Sequence, residues 1–111
     1  MSVITFPLLN PMLSAVAQEL ALPEEEVLQQ SLISLLEQRL REGKAEIFAI
    51  AGRYQISSVE EMDGRYQAGT LEEAGTWQDF QRLDHLEYKR DHLTQLLMLH
   101  TFTSVEKVRL V

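Results

Sequence analysis

A chain of 111 residues is long enough for one packed domain and short for two. Apolar residues make up 45% and charged residues 24%, a globular balance that excludes global disorder. The net charge of −7 disfavours non-specific attraction to nucleic acid or anionic lipid, and the absence of cysteine excludes disulfides, thiolate nucleophiles and thiolate metal sites.

Residues 3–8 are β-favouring (Val, Ile, Thr, Phe) and contain Pro7, which lacks an N–H. They predict an edge strand or extended arm that needs a pairing partner. Asn10-Pro11 reads as a helix start, and Met12, Leu13, Val16, Ala17 and Leu20 recur at helical spacing up to the break at Pro23. Pro23 followed by Glu24-Glu25-Glu26 opens a second helix, because carboxylates favour the positive end of the helix dipole. Leu28, Leu32, Leu35, Leu36 and Leu40 form its apolar stripe, and one long helix over 23–54 is expected, with Gly43 as its weak point.

Ser58-Val59-Glu60-Glu61 has capping-box spacing and predicts a short helix to residue 68, stopped by Gly69. Thr70-Leu71-Glu72-Glu73 repeats that pattern over one turn. Thr76 then caps a last helix carrying Trp77, Phe80, Leu83, Leu86, Leu93, Leu96 and Leu97, which is expected to end near Met98 or His100. The tail, 101–111, reads as extended or disordered. The N-terminus lacks the positive segment of a secretory leader, and no apolar run approaches the roughly 20 residues of a membrane span. A cytoplasmic protein is therefore expected.

Motifs for chemistry are sparse. His85 and His92 lie seven positions apart, roughly 10 Å along a helix, too far for one metal ion, and no HExxH pattern occurs. The pairs Glu60/Glu61, Glu72/Glu73 and Asp84/Glu87 sit at helix starts or beside Lys89 and Arg90, where capping and solvation account for them. No serine lies in a GxSxG setting, and no glycine-rich loop precedes a helix. The sequence calls for no cofactor and does not read as an enzyme. Over 58–91 the chain holds nine Asp or Glu against four Lys or Arg. That imbalance, with Trp77, Phe80 and Tyr88, suits binding to a basic partner, since aromatic residues concentrate at binding hot spots.

The order of arm, short helix and longer helix, carried by Leu13, Ala17, Leu20, Leu22, Val27, Leu28, Ser31, Leu32 and Leu35, resembles the ribbon-helix-helix family of dimeric regulators and antitoxins. The resemblance covers about the first third of the chain and implies paired arms and a shared four-helix core. The stretches Ala45-Glu46-Ile47-Phe48, Arg53-Tyr54, Ser58-Val59-Glu60-Glu61, Trp77-Gln78-Asp79-Phe80 and Leu83-Asp84-His85-Leu86-Glu87 resemble small bacterial and archaeal proteins, several linked to toxin–antitoxin modules. Together these resemblances imply a two-part antitoxin. One departure matters: ribbon-helix-helix proteins need cationic phosphate contacts, and this arm offers only Ser2 and Thr5 for DNA.

The expected fold is mainly α: a short N-terminal β arm followed by helices, a ribbon-helix-helix-like dimer with a helical C-terminal extension. Residues 1–56 form the dimerisation part, through Ile4, Phe6, Leu8, Leu28, Leu32, Leu35 and Leu36. Residues 57–100 form the acidic partner-binding part, through Trp77, Phe80, Leu83, Asp84, Glu87 and Tyr88. The expected function is a non-catalytic, antitoxin-like module that forms a homodimer and occludes a second protein. The alternative is a dimeric DNA-binding regulator.

Overall fold

The computed structural model describes the backbone of residues 6–110 and the side chains of residues 11–100. Four helices follow one another: α1 (Phe6–Leu20), α2 (Glu24–Tyr54), α3 (Val59–Gln67) and α4 (Trp77–Leu110). Among the described residues there is no strand. The β arm and the ribbon-helix-helix fold are thereby corrected: residues 6–8 begin α1, and Pro11 lies inside it rather than at its start. An isolated β-prone segment has no neighbour for its backbone groups, whereas a helix pairs most of them internally. Residues 3–5, and with them Ile4 and Thr5, lie outside the described residues, as does Ser2. The backbone of Phe6 and Leu8 is helical, but their side chains also lie outside.

Two compact units divide between Leu36 and Glu37, within α2. In the first unit α1 and the start of α2 form a helical hairpin. The turn is a Schellman motif: the Leu22 N–H bonds the Ala17 carbonyl at 3.0 Å, the Ala21 N–H bonds Gln18 at 3.2 Å, and Ala21 has φ +57°. Ser14 donates its hydroxyl proton to the Glu24 carboxylate at 2.8 Å across the turn. Ala17 and Val27 are the buried side chains here.

The second unit is built on a core of Ile47, Ile50 and Ala51 from α2, Ile56 from the following turn, Met62 from α3, and Leu83 and Leu86 from α4. Met62 and Leu83 are fully buried. Tyr54, Val59, Tyr66, Leu71 and Phe80 pack around this cluster. No polar or charged residue is buried among those described, so hydrophobic burial holds the unit and polar groups organise its edges.

Those edges are closed at the helix ends. Helix α2 runs unbroken through Gly43 and ends in a second Schellman motif, in which Ile56 bonds Ala51 at 3.0 Å and Gln55 takes φ +55°. Arg65 of α3 reaches back and donates to the carbonyls of Tyr54 at 2.6 Å and Gln55 at 3.2 Å, satisfying acceptors at the helix end. Helix α3 begins as expected at Ser58, whose hydroxyl accepts the Glu61 N–H at 3.2 Å. The reciprocal half is displaced by one residue: the Glu61 carboxylate accepts from Ser57, both N–H (2.9 Å) and hydroxyl (2.8 Å). Helix α3 stops at Gly69, φ +75°, in a third Schellman motif.

Three further expectations are corrected. Thr76 does not cap α4 with its hydroxyl, which donates backward to the Glu72 carbonyl at 2.5 Å and leaves Tyr66 to donate to Thr76 at 2.7 Å. The tail is helical to Leu110 and not extended or disordered, because no Gly or Pro follows Gly75 to stop α4. Residues 70–73 form a bend in place of a helical turn.

Candidate functional site

The residues expected to face a partner divide sharply. Leu83 is fully buried, which corrects its role as an accessible anchor. Phe80 is half-buried, stacked on Trp77 at 5.0 Å and edge-on to Tyr66 at 5.5 Å. Trp77 keeps 45% of its surface exposed, and Tyr88 keeps 60% with its ring against His92 at 4.3 Å. Asp84 is exposed. Glu87 is committed within the fold, where it accepts the Val59 N–H at 2.8 Å. Asp79 accepts from the Tyr54 hydroxyl at 2.5 Å and from Arg53 at 2.9 Å, joining the end of α2 to the start of α4. The hydrogen bond to that carboxylate, and after it burial, push the Tyr54 hydroxyl above its ordinary value. What remains on the outer side of α4 is an aromatic pair, Trp77 and Tyr88, with Asp84 between them in sequence.

In the first unit the apolar residues point outward. Met12 (68% exposed), Leu20 (57%), Leu28 (44%), Leu32 (60%) and Leu35 (48%) are all open, with Val16 beside them. Leu36 is half-buried. Leu28, Leu32 and Leu35 lie at i, i+4 and i+7, and Met12, Val16 and Leu20 at i, i+4 and i+8, so each set follows one side of its helix. The second unit encloses a core of seven apolar side chains yet leaves Phe48, Leu96, Met98 and Leu99 open, whereas the described part of the hairpin buries Ala17 and Val27 and leaves most of its other apolar side chains exposed.

A groove not foreseen from the sequence runs between α2 and α4 in the second unit. Its volume is 310 Å³, and its lining includes Leu40, Leu86 and Leu93 beneath Arg39, Arg82, Lys89 and Arg90. Arg82 spans it, donating Nε to Glu46 at 2.6 Å and a terminal nitrogen to the other carboxylate oxygen at 2.7 Å. This two-pronged pair holds the Glu46 carboxyl below its ordinary value and Arg82 above its own, in each case chiefly through the hydrogen bonds. Arg39 pairs with Glu42 at 3.3 Å. The sequence carries a signal for this groove in the spacing of its charged residues. Arg39, Gly43 and Glu46 recur at i, i+4 and i+7 on α2, and Arg82, Lys89 and Leu93 at i, i+7 and i+11 on α4.

His85 lines the groove, His92 sits against Tyr88, and His100 is half-buried near the end of the described side chains. No group of three or more His, Asp or Glu able to hold a metal ion occurs among the described residues. No helix of the described residues is long and apolar enough to cross a membrane. Glu61 acts as a cap, and the Ser57 backbone and hydroxyl donors hold its carboxyl below the ordinary range. The other paired carboxylates converge on no common cleft.

Comparison with curated proteins and with solved structures gives no match. Among protein families, the profile of the Uncharacterized protein MJ0235 family matches residues 9–99. That match spans both compact units and most of the chain, and the chain belongs to the MJ0235 family.

Proposed function

We propose that this protein is a non-catalytic interaction module that self-associates through the α1–α2 hairpin and offers the acidic second unit to another protein, in the manner of an antitoxin that occupies its toxin. The observation that carries this reading is the apolar face of the hairpin. Met12, Val16 and Leu20 on α1, with Leu28, Leu32 and Leu35 on α2, stand open, while among the described side chains Ala17 and Val27 are the ones buried there. Exposed apolar side chains gathered on one element mark association surfaces more often than chance solvent exposure. Two hairpins packed face to face would put four helices around a shared core, at about 25 cal/mol for each Å² of apolar surface covered.

The second surface is supported by charge and by aromatic exposure. The region 58–91 carries a net acidic count, and Trp77 and Tyr88 keep large exposed faces on α4. A basic partner would be drawn to such a surface faster than a neutral one and would be held by the aromatic anchors.

Light scattering of the full chain, with and without Leu32→Asp, tests the first surface. The expected result is a dimer that becomes a monomer in the variant, with unchanged helical circular dichroism. A wild-type chain that stays monomeric at high micromolar concentration would overturn the self-association. Affinity capture from the native cell, followed by reconstitution with each purified candidate, tests the second. A basic protein that binds wild type and loses affinity with Trp77→Ala is the expected outcome.

A further inference from the structure

We propose that the groove between α2 and α4 binds a small organic anion, a single carboxylate or phosphate group carried on a short apolar body. The inference is independent of self-association, because every residue involved belongs to the second unit.

The first argument is charge. The groove is lined by four cations, Arg39, Arg82, Lys89 and Arg90, and by two carboxylates, Glu42 and Glu46, in a chain whose net charge is −7. Both carboxylates are already engaged, Glu46 by Arg82 and Glu42 by Arg39. Among the described residues the Arg90 side chain forms its ion pair with its chain neighbour Asp91, at 3.0 Å. Lys89 pairs with no carboxylate among the described residues. The groove thus keeps an excess of positive charge at its Lys89–Arg90 end, where an anion gains a cation already facing it and displaces no internal partner of Lys89.

The second argument is shape. Gly43 sits in the middle of a 31-residue helix, where glycine is a poor choice for helix stability. A Cβ built on it meets nothing within 4 Å, so the space above it is open. Leu40, Leu86 and Leu93 line the same groove. A volume of 310 Å³ is at the lower end of ligand-sized sites, and an apolar lining with a few convergent polar groups is their usual character. An apolar body against the leucines and Gly43, with its anionic head at Lys89, meets both requirements at once. A free inorganic anion would leave the leucines uncovered, and a neutral apolar molecule would leave Lys89 unanswered.

The test uses the ¹⁵N-labelled full chain and three probes with the same chain length, octanoate, octyl phosphate and octylammonium, each below its micellar concentration. The expected result is saturable amide shifts at Gly43, Glu46, Lys89 and Leu93 with octanoate, octyl phosphate or both, the tighter of the two naming the headgroup, and no saturation with octylammonium. Lys89→Glu is expected to weaken binding about tenfold or more. Gly43→Leu fills the open space with a better helix former, so it is expected to abolish saturation while the thermal midpoint holds or rises. The proposal is overturned if octylammonium binds as well as the anions, if Gly43→Leu binds undiminished while folded, or if the shifts map to α1 and the first half of α2 instead of the groove.

Discussion

The carboxylate of Glu87, in the first half of α4, accepts the backbone N–H of Val59, the first residue of α3, at 2.8 Å. The start of α3 therefore has two caps, one local from Ser58 and one delivered from a distant helix. A charge-assisted bond to an otherwise unpaired helix N–H is worth more than a neutral one. Glu87→Ala is expected to destabilise the protein by about 1–2 kcal/mol, and Glu87→Gln, which keeps an acceptor, by about half of that. Urea unfolding followed by circular dichroism measures both.

The three helix ends closed by Schellman motifs use three different residues at the left-handed position: Ala21 (φ +57°), Gln55 (φ +55°) and Gly69 (φ +75°). A side chain at positive φ costs about 1 kcal/mol that glycine avoids. Gln55→Gly is expected to stabilise the protein by roughly 0.5–1 kcal/mol, and Gly69→Ala to destabilise it by about 1 kcal/mol. Thermal melts that show the opposite order would contradict the turn geometry.

Acid and alkali should act on different contacts. The carboxyls of Glu46 and Glu61 lie below their ordinary value of 4.5, so the folded state binds protons less readily than the unfolded chain. Their stabilising effect is complete above 4.5 and fades as pH falls through the lower folded values. Tyr54 has the reverse sign. Its hydroxyl is raised above 10.0 by Asp79, so its contribution is complete below pH 10 and is lost as pH rises through the higher folded value. Arg82→Gln should flatten the acid limb of a stability–pH profile, Ser57→Ala should flatten it only in part because the backbone donor to Glu61 remains, and Tyr54→Phe should flatten the alkaline limb.

Burial separates two side chains of similar apolar character. Met62 is fully enclosed and Leu32 is 60% exposed. Met62→Ala leaves a cavity and is expected to cost about 2–5 kcal/mol. Leu32→Ala is expected to cost no more than about 0.5 kcal/mol in the isolated chain, and more where self-association buries it. Denaturant melts at two protein concentrations distinguish the two costs.

Much of the helical architecture was legible because local signals and packing agree. Pro23 with three glutamates set the start of α2, and Ser58 and Gly69 bracketed α3. Residues 6–8 join a helix although the β-favouring run that ends there suggests a strand, because the described residues include no strand for it to pair with. Weak periodicity after residue 100 suggests an ending, whereas the backbone stays helical to Leu110 because no Gly or Pro there breaks a helix. The end of α2 was placed at Tyr54, but its cap was invisible: neither Gln55 at positive φ nor Arg65 reaching across from α3 carries a sequence signature. Leu83 and Trp77 share one helical stripe, and periodicity cannot say which lies inside. The groove was hidden for a similar reason, since charged residues on α2 read as solvated until α4 is placed beside them.

Sulfur chemistry is distributed according to the same burial. With no cysteine in the chain, methionine is the side chain that an oxidant meets first. Met12 and Met98 are 68% and 65% exposed, while Met62 is sealed in the core. Peroxide would therefore convert Met12 to the sulfoxide well before it reached the interior. A polar S=O would then stand about one turn from Val16 on the hairpin; if the proposed self-association holds, oxidation would weaken it without unfolding the protein, and methionine sulfoxide reductase would restore it.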